Sequence, residues 1–408
     1  MQVFLVGGAV RDKLLNLNSK DKDWVIVGSS PDEILSKGYI QVGQDFPVFL
    51  HPNTQEEYAL ARTERKQGEG YTGFICDSSD SVTLEEDLIR RDLTINAMAQ
   101  AKNGTLIDPY GGQKDLDKKL LRHVSAAFTE DPLRVLRVAR FAARFKHLGF
   151  SIAAETLELM KQITNAGELD HLVAERVCQE TTRALGEASP QTFFEVLRKV
   201  GALNVLFPEI DALFGIPQPE KHHPEIDCGI HTMMVLEQAS KLSENTAIRF
   251  ACLTHDLGKA LSDPANLPHH YGHEKVGLKQ IKALCKRFRF PNNFKELALL
   301  VCEYHTHIHK ALELKPQTCL KVLKQCDAFR RHERFEAILT CAKADSRGRT
   351  GFETINYPQA DYFLELLKNA QAIQAKHLVK QGYKGQELGE KIDLERLEAI
   401  RNTPKPEI

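Results

Sequence analysis

Asp21 and Asp23 stand two apart, just ahead of the apolar run at residues 24–27. On a strand, residues i and i+2 point to one face. Two carboxylates on one face repel unless a cation neutralises them, and Mg2+ is the usual partner where phosphates supply the remaining oxygen ligands. Asp-x-Asp alone also fits a solvated surface pair. Upstream, the apolar run at residues 3–6 is long enough for one buried strand. Gly7 and Gly8 end it, letting the backbone turn sharply and approach a ligand. Residues 9–15 read as a helix start, so free N–H groups lie where phosphates can sit. Arg11, in the first turn, adds a charge-assisted contact to the same phosphates. The order strand, Gly-Gly, helix, Asp-x-Asp, strand is far more specific than any of its parts.

Four further groups of residues carry chemistry. Glu57 precedes a short apolar stretch at 58–61. With that stretch as a strand beside Asp21 and Asp23, Glu57 supplies a third carboxylate; as an exposed strand-end residue it does not, and both readings stand. Residues 65–73 hold three glycines among several charges and read as a mobile loop beside the site. Arg90 and Arg91 enter a helix-like run whose apolar residues are Leu88, Leu93, Ile95 and Ala97. Asp131 and Pro132 suit the cap and first position of a helix. Arg134, Arg137 and Arg140 then recur every three residues and form a ridge, with Leu133, Leu136 and Phe141 on other faces. Residues 114–149 carry nine Lys/Arg against four Asp/Glu, a local charge of +5.

From residue 222 onward the chemistry changes to imidazole and carboxylate. His255 and Asp256 are adjacent, and both reach one metal ion where the backbone turns; His231 and Asp345 complete a set of four ligands. Asp327 competes with Asp345 for the last place. His269, His270, His273 and His305 also fall in this stretch, and His305, His307 and His309 fit a structural role equally well. Lys279, Lys282, Lys286, Arg287 and Arg289 form a basic helix face that either tracks an RNA backbone or is simply solvated.

The strings Gly7-Gly8-Ala9-Val10-Arg11-Asp12 and Asp21-Lys22-Asp23-Trp24 resemble the nucleotidyltransferase head of the DNA polymerase beta superfamily. More narrowly, they resemble the class II tRNA nucleotidyltransferases, the CCA-adding enzymes. Residues 90–99 resemble the family's second motif, which places Arg91 on the nucleotide triphosphate. Residues 108–112, a turn by composition, resemble its hinge between head and neck. Class II enzymes also have an acidic residue near the place of Glu57. Residues 130–134 resemble the motif in which protein side chains select the base. Cytosine offers O2 and N3 acceptors with an N4 donor, and adenine an N1 acceptor with an N6 donor. A carboxylate and a guanidinium, Asp131 and Arg134, match either edge and reject G and U. His255-Asp256-Leu257-Gly258-Lys259 resembles the HD phosphohydrolase superfamily.

The resemblance covers residues 1 to about 349, in the motif order of the long bacterial CCA-adding enzymes with a C-terminal HD domain. It implies an α+β fold: a small N-terminal nucleotidyltransferase sheet domain at 1–115, then an all-helical neck and body at 116–221, an HD domain at 222–350 and a helical tail at 351–408. It implies that the chain adds and repairs the 3′-terminal CCA of tRNA from CTP and ATP without a nucleic-acid template. Asp21 and Asp23 would hold Mg2+, and Gly8, Arg11, Arg91, Arg137 and Arg140 would bind the triphosphate. The HD domain would add phosphatase, 2′-nucleotidase and 2′,3′-cyclic phosphodiesterase activity with Ni2+ or another transition metal. The rivals are a bacterial poly(A) polymerase, whose tail is typically strongly basic where residues 384–408 here mix signs, and an RNA-binding HD regulator with an inactive head.

Composition sets the remaining bounds. The 408 residues suffice for two to four domains. A formal net charge of −1 excludes a polycation, so RNA contact must come from a local basic surface. Nine cysteines without a C-x-x-C pair argue against a disulfide framework or zinc ribbon and predict reduced thiols in a cytoplasm. The N-terminal apolar run is cut by Arg11 and Asp12, which speaks against a signal peptide, and no run approaches membrane-spanning length. Monomer and homodimer both remain compatible with the sequence.

Overall fold

The computed structural model describes residues 1–18, 22–42, 48–66, 74–221 and 223–406, which fall into two compact units, Met1–Leu206 and Phe207–Ile408. Asp21 and the loop at 67–73 lie outside the described residues.

In the first unit, strand β1 (Gln2–Val6) leads through Gly7 into helix α1 (Gly8–Leu14) and back along β2 (Asp23–Val27). Gly7 takes a left-handed φ of +66°, where glycine has no steric penalty. Helix α2 (Pro31–Ser36) starts at Ser30, whose hydroxyl accepts the Glu33 N–H. Strands β3 (Ile40–Val42), β4 (Val48–Leu50) and β5 (Glu57–Leu60) follow, then a separate ribbon of β6 (Thr63–Lys66) and β7 (Phe74–Asp77). After α3 (Leu84–Ile89), β8 (Ala99–Ala101) and β9 (Leu106–Ile107) complete a seven-stranded sheet of order β3-β4-β5-β2-β1-β8-β9. Only the β2–β5 pair is parallel among the described strands of that sheet.

Both faces of β2 are buried. Val25 packs with Val6, Leu84, Leu88 and Ala99 on one side; Ile26 packs with Ile34, Phe49, Tyr58 and Leu60 on the other. That two-sided burial explains why residues 24–27 read as an unbroken apolar run.

The arginine pair at 90–91 leaves a helix rather than entering one. A capping box, with Thr83 N–H donating to Glu86 and Glu86 N–H to the Thr83 hydroxyl, starts α3 early. Asp92 then draws the Leu93 N–H onto its own side chain at 2.9 Å, away from a helical carbonyl. Leu93, Ile95 and Ala97 are buried nonetheless, through a 3-10 turn, Thr94–Asn96.

Helix α4 (Gly112–Asp117) is capped by Asp108, which accepts the N–H groups of Gly112 and Gln113 at 2.7 and 2.9 Å. The chain is then helical apart from a short parallel pair, β10 (Leu120–Leu121) with β11 (Ser151–Ile152). Between them lies α5 (Leu133–Phe145), and after them α6 (Ala154–Asn165), α7 (Ala174–Leu185), α8 (Gln191–Lys199) and α9 (Ala202–Leu206). Helix α5 packs on α7 and α8.

The second unit is all helical. It runs α10 (Pro208–Asp211), α11 (Cys228–Leu242), α12 (Thr246–Thr254), α13 (His273–Phe288), α14 (Asn292–His309), α15 (Pro316–Gln325), α16 (His332–Arg347), α17 (Pro358–Gln371), α18 (Ala375–Lys380) and α19 (Gly385–Arg401). Helix α12, apolar on nearly every face, is surrounded by α11, α14 and α16. All nine cysteines are free, and none of the described helices is long and apolar enough to cross a membrane.

Phe49 is fully buried against the face of Ile26. A Phe49→Ala change should cost about 3–5 kcal/mol, read as an earlier first-unit transition in urea with the second-unit transition unmoved.

Candidate functional site

Sheet register gathers the first set of functional groups at one edge. Asp23 is the first residue of β2; it sits opposite Val6, the last residue of β1, and beside Glu57, the first of β5. Glu57 is thus the register neighbour of Asp23, and both side chains are exposed. Gly7 follows Val6, and a Cβ built there would lie 2.9 Å from Arg91 Nη1. The glycine that the backbone requires is therefore Gly7. At Gly8 the same test finds Arg11 at an ordinary 3.5 Å.

Beside this edge opens a cavity of about 1040 Å3, lined by ten arginines and by Asp12, Asp23, Asp92, Asp131 and Glu187. The excess of cationic groups suits a polyphosphate. Buried carboxylates hold these arginines in place. Arg11 is 3% exposed; its Nε donates to Asp12 at 2.8 Å and its Nη1 to the Asn96 side-chain oxygen at 2.5 Å. Asp12 also accepts from Arg144 at 2.9 Å. Arg137 donates to Asp92 at 2.8 Å, and Arg140 to Glu180 at 2.7 Å. Arg91 donates to Asp87 at 3.0 Å, while its buried Nε–H has no hydrogen-bond partner among the described residues. A cavity-lining guanidinium with a buried N–H to spare suits an anionic ligand.

Two features of α5 differ from its sequence pattern. The Arg134, Arg137 and Arg140 ridge is not a solvated stripe, and Phe141 does not fall on another face. The Arg11, Arg137 and Arg140 guanidinia lie over its ring at 5.2, 5.8 and 4.6 Å, because α5 is covered on this side by α1 and α7 rather than by water. Pro132 sits one position earlier than expected, and Asp131 accepts the Leu133 N–H at 3.0 Å. Arg134 donates to the carbonyls of Ala127 and Arg90, each at 2.6 Å. Sequence reasoning missed Asp92, Arg144, Arg176 and Glu180, whose partners lie 40 or more residues away.

The second set lies in the second unit. Ligand-type atoms of His231, His255 and Asp345 fall within 4.8 Å of one another, as do those of Asp256, His273 and His305. The four residues expected from sequence thus straddle two adjoining trios, with His255 Nε2 and Asp256 3.0 Å apart. Asp327 instead pairs with Arg330 at 2.7 Å and is absent from both trios. His273 and His305, left outside the expected ligand set, face Asp256 at 3.3 and 3.5 Å.

All four imidazoles are oriented alike. Their Nδ1 atoms meet backbone carbonyls: His231 with Gly348 at 3.0 Å, His255 with Cys252 at 2.7 Å, His273 with His270 at 2.7 Å and His305 with Val301 at 3.1 Å. A neutral imidazole that donates from Nδ1 accepts at Nε2. Each Nε2 faces carboxylate oxygens, His231 Nε2 at 3.0 Å from Asp345 Oδ1, while the buried His255 Nε2, His273 Nε2 and Asp256 Oδ1 have no hydrogen-bond partner among the described residues. Imidazole nitrogens and carboxylate oxygens that converge in one buried cluster, several of them unpartnered, suit a cation, and carbonyl-tied imidazoles are the form that ligates metals. Burial alone would raise the Asp256 and Asp345 carboxyls; the surrounding histidines, and Lys259 beside Asp256 at 2.6 Å, hold both well below the usual range. Asp345 is further braced by His309 at 2.7 Å, which meets the Tyr357 hydroxyl at 2.8 Å.

Comparison with known proteins identifies families along both units. The Poly A polymerase head domain family matches residues 3–122, the family described as the probable RNA and SrmB-binding site of polymerase A matches 149–214, and the HD domain family matches 229–332. The chain is 56% identical over 409 residues to a multifunctional CCA protein of Haemophilus influenzae (strain PittGG), covering 99% of this chain and 98% of that one. It is 59% identical over 402 residues to the multifunctional CCA protein of Shewanella frigidimarina (strain NCIMB 400), covering 98% and 97%. The chain belongs to the multifunctional CCA protein family. As a member it is a tRNA-processing nucleotidyltransferase of the CCA-adding type that carries an HD domain. Two solved structures share the fold of this family member. A CCA-adding enzyme in complex with ATP has a TM-score of 0.66 at 20% identity, covering 98% of this chain and 86% of that one. The Thermotoga maritima CCA-adding enzyme complexed with tRNA-CCA has a TM-score of 0.65 at 20% identity, covering 100% and 88%.

Asp92 supplies a pH test. Burial would raise its carboxyl, but Arg137 and the Asn96 amide outweigh that and hold it below the ordinary range. Its folded value is thus lower than its unfolded one, so its contribution is complete above about pH 4 and is lost as pH falls toward the folded value. Asp92→Asn should therefore be less stable than the parent at pH 7, with the gap narrowing below about pH 4, as measured by melting temperature against pH.

Proposed function

We propose that this chain builds and repairs the 3′-terminal CCA of tRNA from CTP and ATP without a nucleic-acid template. The observation that carries the reading is the arginine cavity opening beside Asp23 and Glu57 at one sheet edge. Family membership and the ATP, CTP and tRNA complexes of structural relatives support it. Arg11, Arg91, Arg137 and Arg140 bind and orient the triphosphate, and Gly8 lets it approach the start of α1. Asp131 and Arg134 read the base edge. Oxygen donors from Asp21, Asp23 and, in this reading, Glu57 suit a hard cation, Mg2+. When bound, it supplies charge neutralisation at the attacking 3′-hydroxyl and the departing pyrophosphate. The chain's own part is to hold the primer hydroxyl in line with the triphosphate's scissile bond, beside the carboxylates, which is most of what phosphoryl-type transfer requires.

We further propose that the HD cluster hydrolyses phosphomonoesters, including 2′-phosphates, and 2′,3′-cyclic phosphates. His231, His255, Asp256 and Asp345 would hold the metal, and an imidazole-rich set suits Ni2+ or another transition ion. Lys259, buried against Asp256 and Gln218, adds positive charge for a phosphate. The domain reading is a head at 1–115, neck and body at 116–221, HD domain at 222–350 and tail at 351–408, working in a cytoplasm that keeps the nine thiols reduced.

The direct test incubates the protein with tRNA lacking CCA, CTP, ATP and Mg2+, and sequences the 3′ ends. Addition that stops at CCA is expected; long oligo(A) tails would indicate a poly(A) polymerase, and no incorporation an inactive head. Asp23→Ala should abolish both C and A addition while sparing hydrolysis of a 2′,3′-cyclic nucleotide. His255→Ala should do the reverse and should also lower Ni2+ affinity in calorimetric titration by roughly 10-fold or more. Loss of CCA addition in a folded His255→Ala protein would sink the independence of the two sites.

A further inference from the structure

Asp131 stands at the mouth of α5 with its carboxylate clamped. Its Oδ1 accepts the Leu133 N–H at 3.0 Å. From α7, Arg176 closes on it with both prongs, Nη2 to Oδ2 at 2.9 Å and Nη1 to Oδ1 at 3.4 Å. Four residues on, Glu180 of the same helix holds Arg140 of α5 at 2.7 Å. Positions i and i+4 share a helix face, so two ion pairs of opposite polarity pin α7 to the α5 segment and fix where the Arg176 fork points.

A carboxylate offers about four acceptor sites, two on each oxygen. Among the described residues, Leu133 and Arg176 take both sites of Oδ1, and Arg176 takes one of Oδ2. The remaining site is on Oδ2, and both Asp131 and Arg176 line the arginine cavity. An aspartate is otherwise soft about its last torsion; a two-pronged guanidinium contact removes that freedom.

We propose that Arg176 is the positioning residue for base selection: it holds Asp131 so that one fixed acceptor faces the base edge. The proposal rests on the reading of Asp131 as a base-contacting group. One fixed acceptor takes one N–H of the cytosine N4 or adenine N6 amino group. Uracil O4 and guanine O6 occupy the corresponding place, and both are acceptors. An immobile carboxylate oxygen cannot turn away from them, so the wrong base leaves the pair unmatched and repelling. A carboxylate free to rotate relieves that repulsion and admits U and G.

The test uses full-length Arg176→Lys, Arg176→Gln and Asp131→Asn proteins and the double variant Asp131→Asn/Arg176→Gln. Primers are tRNA lacking CCA and tRNA ending in CC, and kcat/KM is measured for CTP against UTP and for ATP against GTP. Both ratios should fall roughly 10-fold or more in Arg176→Gln, the low end of what a lost base-edge contact costs, chiefly because UTP and GTP incorporation rises. Arg176→Lys, which keeps the charge without the fork, should fall between parent and Arg176→Gln and carries the test if the latter does not fold. The double variant should discriminate no worse than Asp131→Asn. If Asp131→Asn destroys discrimination while both Arg176 variants keep parental ratios, Arg176 is only a strut between helices and the proposal is overturned, with the base-reading role intact. If Asp131→Asn keeps full discrimination, the base-reading role itself fails. A uniform drop in kcat for all four nucleotides in the Arg176 variants also overturns the proposal.

Discussion

A single buried polar chain carries the first unit. Arg137 binds Asp92; Asp92 binds the Asn96 amide; the Asn96 oxygen takes Arg11; Arg11 binds Asp12; and Asp12 binds Arg144. Arg137 and Arg144 are both on α5, so the chain leaves that helix, crosses the 3-10 turn and α1, and returns to it. Removing charges from water is costly unless each finds partners, and a half-satisfied network is worse than none. The chain therefore fixes α1, the 94–96 turn and α5 as a set, and the cavity walls follow from it. The same set surrounds Phe141 with guanidinium groups, giving the arginines an apolar plate to stack on.

Much of this architecture was legible from residue order. The runs at 3–6, 24–27, 48–50 and 58–61 became β1, β2, β4 and β5, each within a residue, because central strands buried on both faces leave an uninterrupted apolar signal. Ile40–Val42 and Ala99–Ala101 are interrupted by glutamine and Leu106–Ile107 is two residues long, so none of them leaves an apolar run. The 88–97 stretch misled for a different reason. Its apolar spacing suits a helix, but Thr83 with Glu86 starts α3 upstream, and the Asp92 side chain competes for the Leu93 N–H. The arginines at 134, 137 and 140 could be named in advance; their carboxylates could not, since Asp92, Glu180 and Glu187 meet them only through tertiary packing.

In the HD unit, adjacency in sequence gave His255 and Asp256, whereas His273 and His305 depend on how α13 and α14 pack. The backbone does the sorting. Four carbonyls from four places in the chain set the four imidazole tautomers. Such carbonyls belong to no motif, since every residue has one. Gly348 both offers a carbonyl acceptor of this kind and is a position where a Cβ would press on Val235, so the close approach of α16 to α11 and the orientation of His231 share one cause.

The paired state of the cavity arginines bears on turnover. Arg11, Arg91, Arg137 and Arg140 each have a carboxylate partner within the protein. An arriving polyphosphate competes with these resident anions instead of meeting bare cations, which moderates its grip. Because those carboxylates stay beside the arginines, the cavity exposes no uncompensated charge once a polyphosphate departs.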